Sequence, residues 1–142
     1  MIVNNYHLSP TPLIRNMKET VRILQELKQM GVRIAIDNFG TGYSSLSKLG
    51  GFPLDTIKID GSFIHDVVPG IEGKSLAGAI IELGKSMGFT VVAAGVESKE
   101  QVDYLRIHSC DQYQGFYINK PMPAQEFADV VRKQLRESAH KP

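Results

Sequence analysis

Apolar positions along this chain switch repeatedly between a period near 3.6 and a period of two, which predicts helices alternating with strands. Met17, Val21, Leu24 and Leu27 recur at helical spacing, and Gly31 follows as a stop. Pro12, with Thr11 before it, reads as the entry to that helix. Over residues 32–37 the period becomes two, with Val32, Ile34 and Ile36 on one face and Arg33, Ala35 and Asp37 on the other. A Gly- and Ser-rich loop over residues 39–45 leads into a short helical stretch ending near Gly50 and Gly51. Residues 56–60 form the next predicted strand, with Ile57 and Ile59 opposite Lys58 and Asp60. Residues 74–87 read as a helix with Leu76, Ile80, Leu83 and Met87 on one stripe, stopped by Gly88. The continuous apolar run over residues 90–96 predicts a strand covered on both faces. Ser98, followed three residues on by Gln101, is a capping-box signature and opens a helix to Ile107. A brief strand over residues 111–115 and a helix over 124–136, with Phe127, Val131 and Leu135 inward, complete the pattern. Residues 1–8 supply one further strand.

Strands and helices alternating at this spacing imply a parallel sheet joined by right-handed crossovers. The chain carries about five of each, whereas a closed barrel has eight strands and about 250 residues. The predicted fold class is α/β, a partial (β/α) TIM-type barrel, with residues 1–142 as a single domain. An open sheet leaves edges and an inner face that further strands would cover. A bare apolar inner face invites association, so a homodimer or larger oligomer is expected.

Composition narrows the partners. The 142 residues include 16 basic and 15 acidic side chains, for a formal net charge of +1. That balance provides no field to attract polymeric nucleic acid or an anionic membrane, although a small anion held by a few aimed groups remains compatible with it. Runs such as 91–94 fall far short of the roughly 20 apolar residues of a membrane helix. Residues 1–6 lack the charged-then-apolar layout of a signal peptide. The single cysteine, Cys110, excludes an internal disulfide and suits the cytoplasm.

In parallel α/β folds, ligands gather at the C-terminal ends of strands. Asp37, Asn38, Lys58, Asp60, Glu97 and Gln112 or Gln114 fall there. Lys58 and Asp60 are two apart on a strand, so they share the face that points into the barrel mouth. Taken singly, each has a plainer reading: a strand-end Asp is more often a helix cap, and a Lys–Asp pair more often a structural ion pair. Gly73–Lys74–Ser75 lacks the earlier glycine of a phosphate loop. His7, His65, His108 and His140 have no metal-ligand spacing.

In combination these residues are more specific. Asp-Asn-Phe-Gly-Thr-Gly-Tyr-Ser-Ser-Leu (37–46), Lys-Ile-Asp (58–60), Ala-Ala-Gly-Val-Glu (93–97) and Gln-Gly (114–115) occur in order. Together they resemble the EAL family of cyclic di-GMP phosphodiesterases over about residues 7–128. The resemblance implies a barrel in which two divalent cations, magnesium or manganese, help water open a cyclic dinucleotide to linear pGpG. Such catalysis clamps the attacking and leaving oxygens between cations roughly 3.5–4 Å apart, held by converging carboxylates.

The resemblance also assigns roles. Asp37 matches a bridging metal-ligand aspartate, and Asn38 stands where a second aspartate serves the other cation. Lys58 and Asp60 match the lysine that contacts water or phosphate and its carboxylate partner, while Glu97 and Gln114 are retained. Ala94 replaces a glutamate proposed as ligand or base, His7 replaces a metal-ligating glutamate, and Pro10 replaces a glutamate that steadies the loop over 40–45. The Glu-Ala-Leu strand would precede residue 1. Asp37, Asn38 and His7 are thus the candidate metal residues, and Lys58, Asp60, Glu97 and Gln114 the vestigial catalytic ones. No cofactor is expected to be held, with Mg2+ or Mn2+ the candidate should any site survive. Removing one aimed charge stabiliser commonly costs about a hundredfold in rate, so the chain is not expected to be an enzyme alone. A silent regulatory module, a cyclic di-GMP receptor and an enzyme completed by another chain are the functions compatible with these residues. In the family, the loop over 39–46 and the helix after it also contribute to dimers.

Overall fold

The computed structural model describes residues 5–8, 17–40, 50–67 and 75–139, with the backbone alone at 5–8 and 137–139. In chain order the elements are β1 (Asn5–Leu8), α1 (Met17–Gln29), β2 (Arg33–Phe39), β3 (Thr56–Ile59), α2 (Gly61–His65), α3 (Leu76–Ser86), β4 (Thr90–Ala93), α4 (Lys99–Ile107), β5 (Gln112–Tyr113) and α5 (Ala124–Ala139). The strands form one five-stranded sheet in sequential order, and every neighbouring pair is parallel. This is the partial barrel that the alternating periods predict. The expected entry to α1 at Pro12 and the helix before Gly50 lie outside the described residues.

The core lies between the outer face of the sheet and the helices. Ile34 and Ile36 of β2, Ile57 and Ile59 of β3, and Val91 and Ala93 of β4 are fully buried there. α1 packs on β2 and contributes Leu24, while α3 packs on β3 and β4. The expected stripe on α3 is corrected: Leu76 and Leu83 are exposed, and Ala77, Gly78, Ile80, Ile81 and Gly84 are buried. Close approach explains the rotation, because a Cβ at Gly84 would lie 2.7 Å from Val91 Cγ2. A helix that presses this closely on a sheet turns its small residues inward.

Further expectations change at the strands. The run over 90–96 is not a doubly covered strand; β4 ends at Ala93, its burial alternates, and Gly95 leaves it at φ +72°. β5 is two residues long. The inner face is not bare and apolar, because Arg33, Ala35, Thr56, Lys58, Thr90, Val92, Gln112 and Gln114 line an open groove of about 290 Å³ there. Branched apolar side chains usually fill a barrel interior, whereas this lining is mostly polar and wets readily. Phe127 and Leu135 of α5, expected inward, are exposed.

The N-terminal edge of the sheet is fastened twice by the same device. Asp55, just before β3, accepts a hydrogen bond from the Ile34 amide of β2 at 2.8 Å and pairs with Lys28 of α1. Asp111, just before β5, accepts from the Val91 amide of β4 at 2.8 Å and lies 3.9 Å from Lys85 of α3. Burial raises the Asp55 pKa, but hydrogen bonds from Lys28 and the Ile34 amide outweigh it and hold the carboxyl below its ordinary 3.8. Asp55→Ala is expected to cost about 1–3 kcal/mol at pH 7, since it strands a half-buried amide. A depressed native pKa makes this contribution complete above the ordinary value of 3.8 and lost as pH falls through the lower native value. Urea unfolding of both chains at neutral and strongly acidic pH checks this; a gap that fails to narrow in acid refutes it.

Candidate functional site

The C-terminal ends of the strands gather the polar residues because a bulge reshapes β2. Register with β3 shifts between Ile36 and Phe39, and Asn38 takes φ +52°. Asparagine adopts that left-handed conformation more readily than most residues. The turn lets the Asn38 amide donate to Oδ1 of Asp37 at 2.9 Å. Oδ2 of the same carboxylate lies 3.7 Å from Nζ of Lys58, reaching across from β3. Asp37 therefore has an ammonium beside one oxygen and an amide on the other.

Asp60 is brought to the same end but serves a different purpose. It is the N-cap of α2, where Oδ1 accepts from the Ser62 amide at 2.9 Å and the Ser62 hydroxyl at 2.7 Å. The Ser62 hydroxyl and amide hold its carboxyl below the ordinary range, against a smaller upward push from burial. Lys58 and Asp60 share a strand face, yet the salt bridge of Lys58 among the described residues runs to Asp37. The expected Lys58–Asp60 pair is thus replaced by a cross-strand one, because the helix cap claims Asp60.

Glu97 follows β4 and is exposed, with Oε2 3.9 Å from Nδ1 of His65. Its backbone amide donates to Oε1 of Gln101 at 2.7 Å. Gln101 is the buried polar residue that sequence reading took only as a cap. The capping box is present, and Nε2 also donates to the Ile64 carbonyl of α2 at 3.2 Å. It therefore ties the end of β4 to α2 and sets where Glu97 stands. Its burial and the link to α2, 37 residues back along the chain, leave no local sequence signal. Gln101→Ala is expected to cost about 1–3 kcal/mol, because buried partners lose their hydrogen bonds. Thermal unfolding checks this, and an unchanged midpoint counts against the assignment.

Gln114 lies just past β5, its amide donating to the Ala93 carbonyl at 2.9 Å, and it lines the groove together with Lys58. Arg33, which sequence reading passed over, lines the same groove at the start of β2. Ala94 is held by its amide on the Ile59 carbonyl at 3.1 Å and presents only a methyl. His7 is in register with Ala35 on β1, while its side chain and Pro10 lie outside the described residues. Cys110 is a free thiol that donates toward the Val91 and Gln112 carbonyls, and burial pushes its pKa up. Such a thiol is unreactive.

Among the described residues, the donor set does not fit a pair of divalent cations. Among the described residues, no three His, Cys, Asp or Glu side chains converge as metal ligands. Asp37 has Lys58 as neighbour, Asp60 is turned to its helix, and Glu97 faces His65. The arrangement suits anion contact better than cation coordination, since an ammonium and amides face the groove.

Residues 7–121 match the family described as the EAL domain. The cyclic di-GMP phosphodiesterase NbdA of Pseudomonas aeruginosa is 38% identical over 120 residues, covering 84% of this chain and 15% of NbdA. The solved phosphodiesterase PaMucR, in complex with c-di-GMP, superposes with a TM-score of 0.78 at 36% identity, over 87% of this chain and 50% of that one. The Klebsiella pneumoniae BlrP1 structure with manganese and cy-diGMP gives 0.69 at 33% identity, over 80% of this chain and 29% of its own. The chain thus spans half or less of each of these three relatives, and among the described residues no helix is long and apolar enough to cross a membrane.

Proposed function

From the premise that this chain belongs to the EAL domain family, we propose that it is a catalytically silent, degenerate EAL-type domain with an interaction role in cyclic di-GMP signalling. The observation that carries this reading is the state of Asp37: Lys58 lies 3.7 Å from its carboxylate, and neutral Asn38 and Ala94 occupy sequence positions where the resembled family has acids. A lone carboxylate already neighboured by an ammonium has little charge left to hold a second cation. In this reading residues 1–142 act as one portion of a barrel, associate with a further copy and work in the cytoplasm.

Receptor function without hydrolysis is the second reading, favoured by the lining of the groove. Arg33, Lys58, Gln112 and Gln114 can donate to phosphate oxygens, and no carboxylate is among the described residues that line the groove. Both readings share one expected result: with magnesium or manganese and cyclic di-GMP, the chain forms no pGpG above background by chromatography. Metal-dependent turnover abolished by Asp37→Ala sinks the silent reading. Calorimetric titration with cyclic di-GMP in the absence of metal then separates the two. Heat of binding lost in Lys58→Ala supports the receptor, and no heat supports the interaction module.

A further inference from the structure

Two stretches of this chain repeat one another. Lys-Gln-Met-Gly (28–31) stands at the end of α1 and Lys-Ser-Met-Gly (85–88) at the end of α3. Both glycines are left-handed, at φ +81° and +80°, and each glycine amide donates to the carbonyl of its lysine at 2.9 Å. Each lysine then pairs with the aspartate that fastens the strands after it, Asp55 or Asp111. Register agrees. Ala35 pairs with Thr56 and Ile36 with Ile57 in the first stretch, as Val92 pairs with Gln112 and Ala93 with Tyr113 in the second. Under this correspondence Ala94 matches Asp37, Gly95 matches Asn38 and Gln114 matches Lys58.

The strand ends repeat as well. A second left-handed residue follows at the same spacing in each stretch, Asn38 at φ +52° and Gly95 at φ +72°. Asn38 marks the bulge between Ile36 and Phe39. In the second stretch the Gln114 amide donates to the Ala93 carbonyl at 2.9 Å, and the Gln114 carbonyl accepts from the Val96 amide at 3.1 Å. β5 thus passes over Gly95, as β3 passes over Asn38, and a bulged residue is left outside the ladder. The Asn38 amide is received by the carboxylate of Asp37 at 2.9 Å, with Lys58 on the other oxygen. Ala94 has no carboxylate to offer, and among the described residues the Gly95 amide donates to no other group. Ala94 and Gly95 are only half-buried, so that donor is open to an acceptor from outside.

We propose that the end of β4 is a second copy of the Asp37 seat without its acid, and that the Gly95 amide there binds a phosphoryl oxygen of a ligand. The ligand brings the anionic oxygen that Asp37 supplies to the first seat. Gln114 stands where the first seat has Lys58, and both line the groove, so donors from both stretches serve one ligand. The inference deepens the receptor reading, rests on it, and names the group that the second stretch takes.

Inorganic phosphate titrated without metal into the nitrogen-15-labelled full chain tests this by amide chemical shifts. In the wild type the Gly95 amide is expected to move saturably with phosphate while the Asn38 amide stays. Ala94→Asp gives the second seat its own carboxylate. The Gly95 amide should then shift downfield before phosphate is added, and its response to phosphate should weaken about tenfold or more. Asp37→Ala does the reverse and should make the Asn38 amide respond to phosphate. A wild-type Gly95 amide indifferent to phosphate overturns the site. A Gly95 amide unmoved by Ala94→Asp, in a chain with unchanged circular dichroism, overturns the correspondence of the two seats. The wild-type titration needs no substitution, so a variant that fails to fold leaves the proposal open to refutation. Neither arm uses pGpG or cyclic di-GMP, so failure here and failure of the receptor reading are separate results.

Discussion

Manganese titrated into this chain is expected to bind weakly and at no more than one site, and Asn38→Asp/Ala94→Glu to tighten binding about a hundredfold or more. The magnitude follows from the charges that surround Asp37. Its Oδ1 accepts the Asn38 amide and its Oδ2 lies 3.7 Å from the Lys58 ammonium. A cation approaching that carboxylate meets the like charge of the Lys58 ammonium beside it, and the Coulomb repulsion opposes its binding. One carboxylate offsets such repulsion poorly, whereas two added carboxylates make the site net negative. Loss of supporting residues alone changes metal affinity by about 10–100-fold, so two direct donors should do at least as much. Asp at position 38 keeps the φ of +52° that Asn adopts there, since both residues tolerate it. Electron paramagnetic resonance of free manganese reads the result. Tight uptake of two ions by the wild type, or no gain in the variant, removes the basis for calling the site silent.

Much of the fold was legible because, among the described residues, the helices cover the sheet on one side. Ile34 and Ile36 alternate with Arg33, Ala35 and Asp37, and Ile57 and Ile59 with Thr56, Lys58 and Asp60, and the four isoleucines are fully buried on the helix side. The capping box at Ser98 and Gln101 forms as its spacing indicates. Helix faces were less legible, for a physical reason. On α3, large side chains at Leu76 and Leu83 lose to Gly78 and Gly84 for the buried face, because close approach of Tyr104 and His108 at Gly78 and of Val91 at Gly84 selects small residues. On α5 the stripe is real, but nothing in the periodicity says whether the body of the chain or another molecule covers it.

The candidate site was legible in composition and less so in pairing. Asp37, Lys58, Asp60, Glu97 and Gln114 do collect at one end of the sheet, as strand-end placement implies. Their contacts depend on features with no local signature. The bulge at Asn38 turns Asp37 toward Lys58, and the start of α2 claims Asp60 for Ser62. Gln101 and Arg33 went unread for the same reason. One touches Ile64, far away along the chain, and the other joins the groove only once β2 to β5 are assembled. Residue identity indicates which chemistry is available, and tertiary contact decides which of it is already engaged.

Replacing Gly115 with alanine is expected to be the most damaging single-methyl change in the described residues. A Cβ there would lie 2.1 Å from the Val96 carbonyl oxygen and 2.2 Å from its nitrogen. Both are backbone atoms of a fully buried residue, so no side-chain rotation relieves the clash. The same stretch carries the hydrogen bonds that hold β5 to the end of β4. The Val96 amide donates to the Gln114 carbonyl at 3.1 Å, and the Tyr117 amide donates to the Val96 carbonyl at 3.0 Å. Separating the two strands far enough to admit a methyl breaks both and moves Gln114 off the groove. A loss of about 4 kcal/mol or more follows, equivalent to a fall in Tm of roughly 10–15 °C for a domain of this size. Gly88→Ala is the control. Its φ is +80° and nothing lies within 4 Å of an added Cβ, so only backbone strain opposes it. That strain costs about 1–2 kcal/mol. Calorimetry on both variants decides the matter: if Gly115→Ala unfolds no earlier than Gly88→Ala, the close packing of β5 against Val96 is wrong.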